Sequence, residues 1–146
     1  MAIQVGAPAP RIFDGSGPHA LVFYKVTCSV TALAGQALAR LGAAYGDAVL
    51  GVGQDPQDAL DAFAAEQGWT FAQTPDLAPY EVSDAYGIAS APTVVVIDAT
   101  GRVADVVESW DREGANRASA TLARLLGTEP EILSTPDDGL PAFKPG

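Results

Sequence analysis

The chain has 146 residues, 48% hydrophobic and 18% charged, the size and make-up of one globular domain that buries a core without disulfide or metal staples. Its formal net charge of -10 repels phosphate backbones and anionic membrane surfaces, which argues against nucleic-acid or membrane partners. With one cysteine and one histidine, it has no intramolecular disulfide and no Cys/His cluster for zinc.

The first residues, Met1 to Pro10, have no basic start and no long apolar core, so they do not read as a secretory signal. No stretch approaches the roughly 20 apolar residues that span a bilayer. The expectation is a cytoplasmic protein. The Pro- and Gly-rich start reads as an extended arm with a turn at Asp14 to Gly17. Ala20 to Val26, rich in β-branched and aromatic residues, predicts a strand buried on both faces.

Thr27 to Tyr45 predicts one long helix, with Leu33, Ala37, Leu38 and Leu41 on its apolar stripe and Gly46-Asp47 at its end. Ala48 to Val52 predicts a second buried strand. A helix follows, with Asp55 as N-cap, Pro56 at its first position and Gly68 as C-cap. Trp69 to Gln73 reads as a short strand and Pro79 to Tyr86 as a short helix ending at Gly87. Thr93 to Asp98 is a strongly β-branched strand. A turn at Ala99-Thr100-Gly101 returns it to an antiparallel partner over Arg102 to Ser109. Asp111 to Leu126 predicts the last helix, closed by Gly127.

Residues 1–127 therefore read as one α/β domain, a central mixed β-sheet with helices on both faces. Thr128 to Gly146, with four prolines, reads as an irregular tail, packed on the body or mobile.

Cys28 falls at the joint between the first strand and the first long helix. Free N–H groups at a helix start favour a thiolate, the species that attacks disulfides and peroxides. Thr31, three residues on, is placed to donate a hydrogen bond to the sulfur across the first turn. Lys25 is a candidate stabilising charge, if its side chain turns toward the sulfur. A free cysteine also serves as a small buried hydrophobe, and that reading stands beside the reactive one. Pro92, just before a strand, suits a strand start and is also an X-Pro bond, where cis peptides occur. His19 reads as a loop residue and Trp69, Phe71 and Phe63 as core. No glycine-rich loop points to a nucleotide cofactor, and no metal or other cofactor is expected.

The segment FYKVTCSVTALAGQALARL resembles the strand, active-site turn and first helix of the thioredoxin-like redoxins. The resemblance is to the TlpA-like thiol-disulfide reductases, neighbours of the AhpC/TSA peroxiredoxins. VLGVGQDPQDALDAFAAEQGWTF is similar to their second strand and inserted helix. Tyr86-Gly87-Ile88, Ala91-Pro92-Thr93 and VVVIDATGRV follow in the same order, so the likeness spans Val5 to Gly127. It implies a thioredoxin fold, Cys28 in the place of the nucleophilic cysteine of C-x-x-C, and Pro92 in the place of the facing cis-proline. It also implies that the backbone at Ala91 pairs with a bound substrate chain.

Two departures bear on mechanism. The second cysteine of C-x-x-C is Thr31, giving C-S-V-T, and the usual preceding tryptophan is Thr27. A dithiol cycle within one turn is therefore impossible. The peroxiredoxin threonine three residues before the cysteine is Lys25, and Arg102 in the hairpin turn is not assumed to replace the arginine that supports a peroxidatic thiolate. Three readings remain: a monothiol oxidoreductase acting on protein or low-molecular-weight disulfides with an external thiol as resolver, a one-cysteine thiol peroxidase, and a redox-inactive binding domain.

Overall fold

The computed structural model describes residues 1–146. Its first strand, β1 (His19–Tyr24), is followed by a short helix, α1 (Ser29–Leu33), and a longer one, α2 (Gly35–Tyr45). A 3-10 turn over Gly46–Ala48 leads into β2 (Val49–Gly53), α3 (Gln57–Gln67) and β3 (Ala72–Pro75). Then come α4 (Glu81–Ala85), β4 (Thr93–Ile97) and β5 (Val103–Glu108). β6 (Trp110–Asp111), α5 (Arg112–Leu126) and β7 (Phe143–Lys144) complete the chain.

Five strands form one sheet in the order β3-β2-β1-β4-β5. The β3-β2-β1 half is parallel and β4 and β5 are antiparallel additions, so the sheet is mixed, as the hairpin at Ala99-Thr100-Gly101 predicts. Side chains alternate across it. Ala20, Val22, Tyr24, Val94 and Val96 face a large core built with α2, α3 and α5. Leu21, Phe23, Val95 and Ile97 face a smaller one, covered by Val82 of α4, Ile88 and the N-terminal arm. β1 is central and β4 is completely buried, which explains why their sequences are continuous apolar runs.

Several boundaries differ from expectation, each for a local reason. The predicted Thr27–Tyr45 helix begins at Ser29 with Cys28 as its N-cap, and it divides at Ala34, where ψ opens to -4° while Ala34 N still bonds Val30 O and Leu38 N still bonds Ala34 O. Asp55 does not cap α3. Pro56 takes that position in extended geometry, and the Asp55 carboxylate instead accepts a hydrogen bond from Val26 N at 2.9 Å. The strand expected at Trp69 to Gln73 starts at Ala72, because Trp69 and Phe71 turn into the large core. The helix expected from Pro79 starts at Glu81, since Tyr80 sits at φ 58°, outside helical geometry.

Residues 128–146 are packed on the body by specific bonds. Asn116 of α5 brackets the start of the packed stretch: its Oδ1 accepts from Leu133 N and Ser134 N, and its Nδ2 donates to Ser134 O. Arg112 donates to Ser134 Oγ and to Leu140 O, and Leu133 and Ser134 are buried. The chain then returns along Trp110, whose indole N–H donates to Pro141 O at 2.7 Å, and pairs as β7 with β6. No helix is long and apolar enough to cross a membrane.

Candidate active site

The end of β1 delivers the chain to the C-terminal edge of the parallel strands, where loops are free to build a site. After Tyr24 the loop is braced from two sides. Gln54 N donates to Tyr24 O at 3.1 Å, and Val26 N donates to the Asp55 carboxylate. Cys28 N closes the turn on Lys25 O, and Ala32 N bonds Cys28 O to start α1.

Cys28 is half-buried and is the one free thiol. Its Sγ–H donates to the carbonyl oxygen of Ala91, 3.4 Å away. Ala91 precedes Pro92 through a cis peptide bond, the isomer implied by the family resemblance. Thr93 holds this loop, its buried hydroxyl donating to Ser90 O at 2.8 Å. Register explains why the loops meet: Phe23, near the end of β1, pairs with Thr93 at the start of β4. Cys28, Ala91 and Pro92 thus come together although 63 residues separate the bonded pair.

Burial pushes the Cys28 thiol up, but more groups push it down, and the net shift is below the ordinary value. Those groups are the backbone N–H of Thr31 and of Val30, the Thr31 hydroxyl, and the Lys25 ammonium. Thr31 is completely buried, and its Oγ1 forms no hydrogen bond in the neutral state. The two facts fit together once the protonation state is considered. The neutral thiol spends its proton on Ala91 O, whereas a thiolate is an acceptor that offers the idle Thr31 hydroxyl a partner. With only five residues, α1 contributes nearby N–H groups more than a macrodipole.

Thr27 and Lys25 are exposed at the rim. Both line a cleft of about 560 Å³ with Cys28, Ser29, Gln54, Ile88, Ser90, Ala91 and Gly146. The lining mixes one cation with neutral polar and small apolar groups. It contains no Asp or Glu side chain. No cluster of three or more His, Cys, Asp or Glu side chains is placed to hold a metal ion.

Residues considered elsewhere in the sequence lie away from the cleft. His19 opens β1 at the opposite end of the sheet, about 17 Å of strand from Tyr24. Its Nδ1 contacts Gly17 O, its ring stacks on Phe13, and burial lowers its pKa. Arg102 lies at that same far end and donates to Gly6 O, so it does not support the Cys28 sulfur. Three participants are not evident in the sequence: Asp55, which braces the loop; Ser109, whose N–H bonds Pro92 O; and Gly146, which lines the cleft. Only the Asp55-Pro56 pair carried a signal, and it read as a helix cap.

Residues 12–106 match the AhpC/TSA family. The chain belongs to that family. Its fold is the thioredoxin fold, shared with a putative thiol:disulfide interchange protein DsbE from Chlorobium tepidum at 20% identity, TM-score 0.72, over 86% of this chain and all of that one. A peroxidoxin BcpB from Mycobacterium tuberculosis is similar at 20% identity and TM-score 0.68, covering 84% of this chain and 98% of that one. A secreted M. tuberculosis disulfide oxidoreductase homologous to DsbE matches at 20% identity and TM-score 0.61, over 75% and 82% of the two chains. None of the curated proteins matches. This AhpC/TSA member carries a single cysteine, at the N-cap of α1 just after β1.

Proposed function

We propose that this protein is a monothiol oxidoreductase in which the Cys28 thiolate performs thiol-disulfide exchange with an external thiol as resolver. The observation that carries the reading is the placement of a lone thiol of lowered pKa, at the mouth of a cleft, against the Ala91 carbonyl. A thiolate fraction near neutral pH is what exchange requires.

The cycle has two displacements. The Cys28 thiolate attacks one sulfur of a disulfide R–S–S–R′, forming Cys28–S–S–R and releasing R′–S⁻. An external thiolate R″–S⁻ then attacks the R sulfur, freeing the Cys28 thiolate and leaving R–S–S–R″. Thr31 stands where C-x-x-C proteins hold the second thiol, so the resolving thiol comes from another molecule. Thr31 Oγ1, the N–H groups of Val30 and Thr31, and Lys25 stabilise the sulfur each time it leaves as an anion.

The family match favours a second reading, a one-cysteine peroxidase, in which the thiolate attacks the terminal oxygen of a hydroperoxide ROOH, breaking the O–O bond to give sulfenic acid and RO⁻, which takes a proton from water and leaves as ROH. Arg102, at the far end of the sheet, offers that chemistry no support. Hydroxyethyl disulfide and hydrogen peroxide, each supplied with glutathione and compared in wild type and Cys28→Ser, test the two. Cys28-dependent turnover of the disulfide, faster than that of peroxide, supports exchange. Turnover of peroxide alone establishes the second reading, and no turnover of either leaves a binding domain.

A further inference from the structure

The residues after α5 return to the reacting sulfur. β7 pairs with β6, placing Phe143 opposite Asp111 and Lys144 opposite Trp110. Two residues on, Gly146 N donates to Ser109 Oγ at 3.0 Å, and Ser109 N in turn donates to Pro92 O at 2.8 Å. The tail is thereby docked on the Ala91-Pro92 loop itself. Gly146 forms a wall of the Cys28 cleft and lies so close to Ala91 that a Cβ there would overlap the Ala91 carbonyl oxygen. That same oxygen accepts the Cys28 thiol.

We infer that residues 143–146 are a size gate, which favours low-molecular-weight disulfides at Cys28 and slows polypeptide ones. The inference rests on the exchange reading for the word disulfide; the gate itself does not depend on it. Any molecule bonded to Cys28 Sγ must lie within a few ångströms of Ala91 O. A small disulfide fits the open part of the cleft beside Lys25, Thr27 and Gln54. A cysteine held in a polypeptide brings backbone on both sides of its sulfur, and one of those strands meets Gly146.

The gate is lightly held. Residues 141–146 are all exposed, and β7 is two residues long. Segments with so few buried contacts open locally at low cost, so the gate slows large reactants without sealing the site. Gly146 is the residue type the closed position requires, because its neighbour is unyielding backbone and not the end of a flexible side chain.

The test compares the whole chain with a chain lacking Phe143–Gly146 and with Gly146→Val. Cys28 is alkylated in each by iodoacetamide and by a polyethylene-glycol maleimide, and the ratio of the two rates is read. If the tail is open in about one molecule in ten, deleting it raises the large-to-small ratio about tenfold. Gly146→Val, which cannot close, moves the ratio the same way while keeping the full chain length. Exchange with hydroxyethyl disulfide stays within about twofold, while exchange with a cystine-bridged peptide rises with the ratio. A ratio unchanged in both variants overturns the gate. Size selectivity without any disulfide exchange supports the gate and overturns the exchange reading.

Discussion

Cys28 Sγ and Thr31 Oγ1 sit one helical turn apart, and only one of them has a hydrogen-bond partner: the thiol gives its proton to Ala91 O, and the buried threonine hydroxyl goes unpaired. Native proteins rarely leave a buried hydroxyl idle, because the lost solvation costs about 1–3 kcal/mol. The cost is relieved when the sulfur ionises and becomes an acceptor. The site is therefore poised toward the thiolate, and stability is given up in the neutral state.

Thr31→Val separates these effects. The variant keeps the shape and removes the orphaned hydroxyl, so below the Cys28 pKa it is more stable than wild type by about 1 kcal/mol, measured by the denaturant midpoint. At the same time its Cys28 pKa rises and alkylation near neutral pH slows. A variant both less stable and equally reactive contradicts the role given to Thr31.

The lowered thiol pKa also makes stability depend on pH. The folded-state pKa lies below the ordinary value of 9.0, so the folded protein releases the proton first as pH rises. The stabilisation is complete above the unfolded-state pKa and is lost as pH falls through the folded-state pKa. Wild type therefore gains stability over Cys28→Ser between those two values, and the difference between them is flat in acid. Urea titrations of both proteins across that range check the sign.

Asp55→Ala removes the acceptor of Val26 N and loosens the loop that carries Cys28. The expected cost is about 1–2 kcal/mol, at the lower end for a bond to a charged group because Asp55 is partly exposed. Hydrogen exchange at the Val26 amide reports the same loss locally. A fold held by α3 capping would instead show fraying at the start of α3.

Asn116→Ala removes three hydrogen bonds to Leu133 and Ser134 and leaves two buried N–H groups and a carbonyl unmet. A loss of about 2–3 kcal/mol is expected, with amide protection of residues 133 and 134 falling together. If the tail were a loose appendage, neither quantity would change.

Much of the sheet was legible because its central strands are buried on both faces and so carry runs such as TVVVI, which little else explains. The joint at Cys28 followed from the switch between such a run and an Ala- and Leu-rich stretch. The meeting of Cys28 with Ala91 was reached by resemblance alone, since no local pattern reports a contact across 63 residues. The tail was illegible for a different reason. It is ordered by side chains that reach distant backbone, as Asn116 and Arg112 do, and by a two-residue strand too short to show a period. The break at Ala34 has no glycine or proline at that residue to mark it.

The most direct test of the central claim is the rate of Cys28 alkylation by iodoacetamide as a function of pH. With one cysteine in the chain, the signal belongs to Cys28 alone. An inflection below 9.0, shifted upward in Thr31→Val, is the result predicted for a thiol held ready for exchange. An inflection at or above 9.0 means an ordinary buried cysteine and contradicts the account.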